Sequence, residues 1–437
     1  MLICPAFRMA LLARSITEKS LRLVPRKSDK KSAAGTYRLA EDLAVELAPS
    51  LAALDRTAWD RTVPPSNFFL SWDYLQAFER TASPALGFYY GQLSDAQGQP
   101  LAVFYFQVIH LSAEEIGHIL KPLAAERSHT TALLGQWGEW LQRTKEEKGF
   151  RMLVSGNNFI SGEYGIGMRP GADAETVYRA FCETVKLITG NDRLPAKISA
   201  ILVKDFFAKP GEIPSDWLRK KRYHRFLVEP EMLVTLPREW KTFDDYLNAM
   251  SKKYRNRAKS VYKKSSPLEL VEIDAKMAEQ HEGELYRLYY NLHERAKFRL
   301  AALGGSYFTE MKKRFPENFR IVGYRLDGKL VAFRSSFRCG EHFEAHFIGI
   351  DYHYNTEHCL YQRILYDYVA EGLEAGVQQV YLGRTAAEMK STVGAVAHDL
   401  VCYIRHRNGL SNQVIRPFID YLKPSDWTPR NPFKEEN

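Results

Sequence analysis

The chain has 437 residues, 45% of them hydrophobic and 26% charged, with a net charge of +9 and a pI of about 9.1. That length exceeds what one hydrophobic core serves, so two domains are expected, and the composition excludes fibrous and disordered classes. Five cysteines (Cys4, Cys182, Cys339, Cys359, Cys402) stand singly without a C-x-x-C, which excludes a disulfide scaffold and a cysteine zinc site.

No window reaches the ~18 apolar residues of a membrane span. The apolar start, Met1 to Leu12, is broken by Pro5 and Arg8 and has no cleavage site, so a cytoplasmic protein is expected, with a peripheral position at the inner face of the membrane as the variant. Much of the positive charge is local. Residues 1–31 hold eight basic and two acidic side chains, and 1–35 reads as a disordered basic tail. A polyanionic partner such as nucleic acid, nucleotide or anionic lipid suits that balance.

From Thr36 a short strand leads into Leu47–Leu54, which reads as helical. Ser71 is an N-cap for a helix whose Trp72, Leu75, Ala77 and Phe78 form a buried stripe. A hairpin follows over Leu86–His110, turning at Asp95–Gly98. A helix over Thr131–Glu147, a strand over Arg151–Ser155, a helix over Ala172–Thr189 and a strand over Ala196–Val203 come next. The join lies near Arg219–Arg225, and Phe226–Leu236 reads as a strand.

The second half opens with a helix through Tyr246–Lys264 and a strand over Leu268–Ile273. Helices over Met277–Phe298 and Tyr307–Arg314 precede a second hairpin from Phe319, whose Asp327-Gly328 is a two-residue turn signal. A third strand, His342–Ile350, alternates Glu344, His346 and Ile348 on one face with Phe343, Ala345 and Phe347 on the other. An amphipathic helix over Cys359–Gly376 and a strand over Val377–Leu382 lead into Gly383-Arg384-Thr385 and a short helix carrying Lys390. His398–His406 closes the second sheet, Pro417–Tyr421 packs a last helix, and disorder is expected past Pro424.

The two hairpins share a phrase. Ala102 in Leu-Ala-Val-Phe and Ala332 in Leu-Val-Ala-Phe, each after its turn, are offset by 230 residues, about half the chain. Internal duplication of one α/β unit accounts for this, with units at 36–225 and 226–424 and a tail at 425–437.

The order strand, strand, strand, helix, strand, followed by Tyr381-Leu-Gly-Arg-Thr…Met389-Lys…Val393-Gly-Ala, resembles the GNAT acyltransferase superfamily, and within it the Fem-like, peptidoglycan-bridge-type branch. Asn67-Phe-Phe-Leu-Ser is similar to the opening helix of that branch. The resemblance implies an α/β (α+β, mixed-sheet) fold of two tandem GNAT-like domains, with the active site in the second. It implies a bacterial N-acyltransferase moving an acyl or aminoacyl group from an activated donor to an amine, with a cell-envelope acceptor in view. The donor is open among acyl-CoA, acyl-carrier protein and aminoacyl-tRNA, and no cofactor is expected to be tightly bound. Rival readings are a CoA-dependent N-acetyltransferase and a non-catalytic module binding RNA or anionic membrane.

A CoA-dependent GNAT cradles pyrophosphate with backbone N–H groups of a glycine-rich loop at a helix start. The corresponding loop of the second unit, Asp351–Cys359, has no glycine. Glycines occur instead in the first unit, at Gly162, Gly165 and Gly167, as either a phosphate cradle or an irregular loop using glycine for turns.

Arg384, Thr385 and Lys390 follow a strand's C-terminal end, where open α/β sheets bind ligands; they could hold an anionic substrate or a developing oxyanion, or form a structural salt-bridge knot. Glu344 and His346, with Glu357 and His358 beyond the strand end, are acid/base candidates for deprotonating an amine. Tyr361 and Gln362 could orient substrate or pack. Lys297 and Arg299 could line an acceptor groove or complement a helix C-terminus. Ser251–Lys264 carries seven basic residues over an apolar stripe, a helix face for tRNA, an acyl-carrier protein or anionic lipid, or simply a solvated surface. No metal-spaced cluster, P-loop or G-x-S-x-G occurs, so no metal site is expected.

Overall fold

A computed structural model of the chain describes residues 34–111, 150–190, 198–208, 213–295, 301–413, 415, 419, 424 and 426–434. The expected helix at 131–147, Lys297 and Arg299, the basic segment to residue 31 and most of the expected last helix lie outside them.

The first half runs β1 (Gly35–Arg38), β2 (Ala44–Ala48), α1 (Arg56–Thr62), α2 (Trp72–Thr81), β3 (Leu86–Ser94), β4 (Pro100–Leu111), β5 (Phe150–Ser155), β6 (Ile166–Met168), α3 (Ala174–Gly190), β7 (Ala200–Phe207), α4 (Ile213–Lys220) and β8 (His224–Thr235). The second runs α5 (Phe243–Ala249), α6 (Lys252–Lys264), β9 (Glu269–Glu272), α7 (Ala275–Gln280), α8 (Glu282–His293), α9 (Tyr307–Arg314), β10 (Phe319–Leu326), β11 (Lys329–Cys339), β12 (His342–Ile350), α10 (Tyr352–His358), α11 (Leu360–Glu374), β13 (Gln379–Tyr381), α12 (Ala387–Ser391) and β14 (Val396–His406).

All these strands join one mixed sheet, in the order β1-β2-β3-β4-β5-β7-β14-β8-β13-β12-β11-β10-β9, with β6 added beside β4. The two halves repeat one plan. In each, a hairpin (β3–β4, β10–β11) leads to a strand (β5, β12) that pairs in parallel with the strand following the intervening helix or helices (β7, β13). Both hairpins slip register just before the matched alanines, after Leu93↔Ala102 and after Tyr324↔Ala332. The last strands are exchanged. β8, which straddles the expected join at residue 225, pairs antiparallel with β13 of the second half, and β14 pairs with β7 of the first. β8 and β14 then pair with each other at the centre.

Alternation explains the layers. On β4, Val103, Tyr105 and Ile109 face one core while Ala102, Phe104, Phe106 and Val108 face another, so this strand is buried on both sides. The first of these cores is shared between the halves: Phe68 and Tyr74 of the first pack against Phe315 and Phe337 of the second. The segment Asn67–Ser71 thus works as an aromatic plug, and Ser71 caps α2 as expected, accepting the Tyr74 N–H at 3.4 Å.

Three expectations change. Leu47–Leu54 is not a helix, because β2 runs to Ala48 and Pro49 lacks the N–H a helix would use; only a 3-10 turn forms at Leu51–Ala53. The helix expected over 246–264 breaks at Met250 and Ser251, both extended, and a Thr242–Asp245 capping box starts its first piece. The cause is the chain's end, expected to be disordered past Pro424. Phe433 bridges to Met250, stacks near Trp240 and Tyr246, and fills the space left by Gly394.

Candidate active site

The parallel pair β12–β13 lasts for only three residues, ending at Glu344↔Tyr381. Beyond that point β12 continues while β13 stops, so the sheet forks. Glu344 sits at the fork, 3% exposed. Among the described residues no hydrogen bond reaches its carboxyl group. Burial pushes that carboxyl well above the usual carboxylate range, the charge of Glu231 pushes the same way, and Lys390 opposes.

Glu231 comes from the exchanged strand β8 and is 1% exposed. It accepts the Gly383 N–H at 2.7 Å and the Ser161 hydroxyl. Burial raises it too, against the pull of Ser161, Lys390, Gly383 and Arg384. Lys390 donates to the carbonyls of Gly383 at 2.9 Å and Arg384 at 2.5 Å, leaving one N–H for the site. Burial lowers it to about 8.

Arg384 donates to Asp205 at 3.0 Å. Asp205 is fully buried at the end of β7 and also accepts from Lys204. Lys204 in turn holds the Asn157 and Ile160 carbonyls at 2.7 and 3.1 Å, next to Ser161. The result is a closed ring of contacts, Ser161–Glu231–Gly383–Arg384–Asp205–Lys204 and back to the 157–161 loop. Both halves contribute to it. Asp205, Thr385 and Ala386 sit at φ of 63°, 66° and 50°, left-handed conformations that side-chain-bearing residues adopt at a cost.

Of the expected pair, the structure brings Glu344 and Lys390 together but gives His346 another place. A β-bulge at His346–Phe347 on β12, opposite Ser335 of β11, breaks the alternation of β12. As a correction, Ile348 turns to the Phe343–Ala345 side, and Phe347 joins His346 on the other. His346 is wedged among Phe319, Phe337 and Phe347. Burial lowers it to about 3, so it is neutral. Its Nε2 meets the Tyr307 hydroxyl at 3.0 Å and its Nδ1 the Ser335 hydroxyl at 3.3 Å. Tyr307 contacts Tyr74, which accepts from Asn157 at 3.3 Å, so a buried polar chain crosses between the halves. His346 is a link in that chain.

The glycine cradle is also corrected. Gly165 and Gly167 lie on the sheet: the Gly165 carbonyl accepts the Tyr105 N–H, and Gly167 pairs with Val103. A Cβ at Gly165 would stand 2.4 Å from the Ser155 hydroxyl oxygen, and one at Gly167 2.9 Å from Val103. Gly162 takes a φ of 122° beside Tyr164. No helix begins at these glycines, so they serve close packing. In the second half the corresponding loop is itself a helix, α10, capped by Asp351, and α10 ends with His358 buried against the Lys264 carbonyl. Glu357 is exposed on it.

Tyr361, partly buried, packs against the core of the second half. Gln362 donates to the Met389 sulfur at 3.3 Å, adjoining Lys390. Thr385 is exposed at the rim. Glu231, Ser161, Lys204 and Asp205 escaped the sequence reading. The one signal was the charged pair Lys204-Asp205 inside the apolar run Ala200–Phe207. Among the described residues no group of three or more His, Cys, Asp or Glu could hold a metal ion, and no helix is long and apolar enough to cross a membrane.

A repeated α/β unit with a short parallel pair that forks over a buried carboxylate defines a tandem GNAT-like architecture. Residues 241–391 match the family model described as an acetyltransferase (GNAT) domain. Among solved structures the chain is similar to FemX (10% identity, 83% of this chain and 98% of that one, TM-score 0.48). It is also similar to a tandem GNAT protein from the clavulanic acid biosynthesis pathway (10%, 83% and 99%, TM-score 0.47) and to L-PGS from Bacillus licheniformis (12%, 63% and 83%, TM-score 0.40). No curated protein matches the sequence.

Proposed function

We propose that the protein is an N-acyltransferase whose chemistry takes place at the β12–β13 fork. The observation carrying this reading is Glu344, a buried carboxyl without a hydrogen-bond partner among the described residues, beside Lys390 in the segment that matches the acetyltransferase domain. The acceptor amine attacks the carbonyl carbon of an activated ester or thioester. An N–C bond forms, the bond from that carbon to the donor oxygen or sulfur breaks, the amine's proton passes to Glu344, and the departing oxygen or sulfur takes that proton to leave as an alcohol or thiol. A carboxyl whose proton affinity burial has raised is suited to take it. The remaining N–H of Lys390 stabilises the oxyanion. Glu231, held by Ser161 and Gly383, fixes the loop that presents Lys390.

The test is mass-spectrometric detection of new amides when the protein meets acyl thioesters and charged tRNA with a mixed panel of primary amines. Turnover with at least one donor, reduced about 100-fold or more by Glu344→Gln, is expected. Turnover unaffected by Glu344→Gln removes the proposed base, and silence with every donor favours a non-catalytic binding module.

A further inference from the structure

The helix α6 presents Lys252, Lys253, Lys259, Lys263 and Lys264 to solvent, with Asn256 and Ser260 between them. Arg255 and Arg257 flank this face, half-buried, while Ala258 and Val261 anchor the helix to the core. Among the described residues no carboxylate pairs with any of these seven cations. Thirteen residues make a rod of about 20 Å. Its flank reaches the site: Arg257 donates to the Met389 sulfur at 3.6 Å, the same sulfur that Gln362 touches, one residue from Lys390.

Resting on the acyltransferase reading, we propose that α6 is the docking face for an acidic acyl-carrier protein that delivers the donor thioester. Three observations converge. First, helix α10 stands where a pyrophosphate-cradling loop would be, so recognition of a free nucleotide thioester has no backbone nest there. A carrier-borne phosphopantetheine has a single phosphodiester, and the carrier's own surface supplies the remaining attraction. Second, the basic face of α6 spans a single short helix. The chain beyond residue 31 carries a net charge of only +3, and the surface turns acidic nearby at Asp244 and Glu357. A nucleic acid demands a broader basic footprint. Third, no large apolar side chain is exposed on this face, so α6 lacks the wedge that an interfacial membrane helix inserts. A short rod of lysines matches an acidic helix of a small partner through complementary charge, which governs association rate and salt dependence.

The test compares the parent with a Lys252→Glu/Lys259→Glu/Lys263→Glu variant and with the same three positions changed to Gln. Titrations use a holo acyl-carrier protein bearing a fatty acyl thioester, bulk tRNA, and phosphatidylglycerol vesicles. Binding of the carrier that weakens with salt, and that falls about tenfold or more in the Glu variant and less in the Gln variant, is expected. Carrier binding indifferent to both variants overturns the proposal, as does tight binding of tRNA or vesicles that the variants abolish. Turnover of a small acyl-pantetheine thioester, which bypasses docking, is expected to be unchanged in both variants. Loss of carrier binding with that turnover intact isolates the docking face, while absence of that turnover in the parent is a failure of the acyltransferase reading instead.

Discussion

Arg384 of the loop after β13 donates to Asp205 at the end of β7, 3.0 Å away, so a guanidinium of the second half is neutralised by a fully buried carboxylate of the first. The Arg384 side chain keeps 27% exposure. Of the two sequence readings of this residue, the structure gives it the salt-bridge contact.

Arg384→Ala is therefore expected to lower stability by about 3 kcal/mol, because it leaves Asp205 buried with Lys204 alone. Chemical denaturation measures this. Asp205→Asn combined with Arg384→Met should recover much of the loss. A variant that keeps its stability yet loses all turnover would assign Arg384 to substrate instead.

Lys390 titrates near pH 8, and Glu344 well above the ordinary carboxylate range. The reaction needs Glu344 ionised and Lys390 protonated, so kcat/KM is expected to follow a bell. It falls above about pH 8 as Lys390 loses its proton, and the raised Glu344 carboxyl moves the acidic limb up from the ordinary carboxylate range. Lys390→Arg, if it folds, should remove the basic limb. A basic limb unchanged in that variant would place it on another group.

Burial lowers His346 from its ordinary 6.5 to about 3. Between those values the unfolded chain binds a proton that the folded protein refuses, so stability rises with pH across that window and is lost as pH falls from 6.5 toward 3. His346→Gln should flatten this acid limb in melting experiments run from neutral pH downward. Tyr307→Phe, which removes the hydroxyl facing Nε2, should destabilise by about 1 kcal/mol without moving the limb to a different pH.

Gly165→Ala puts a methyl group 2.4 Å from the Ser155 oxygen and 3.0 Å from the Gly156 nitrogen. A cost of about 1–3 kcal/mol is expected in thermal or denaturant unfolding. No change in stability would return these glycines to a role other than packing.

Local patterns carried much of the fold. Asp327-Gly328 turns between β10 and β11 with both residues at positive φ, as a two-residue hairpin demands, and β12 and α9 have the bounds that their residues imply. The matched alanines pointed to the duplication, and Glu344 and Lys390 stood out because charge beside an apolar strand is conspicuous. Tertiary structure decided the rest. A bulge opposite Ser335 rotated Ile348 and Phe347 to the other faces, and no alternation within β12 alone encodes it. Strand exchange brought Glu231 of β8 next to Gly383, residues 152 positions apart. The sequence by itself determined which segments form strands and helices, since that depends on neighbours a few residues away. Which carboxylates share the fork depends on pairings between distant strands, and only the closed sheet sets those.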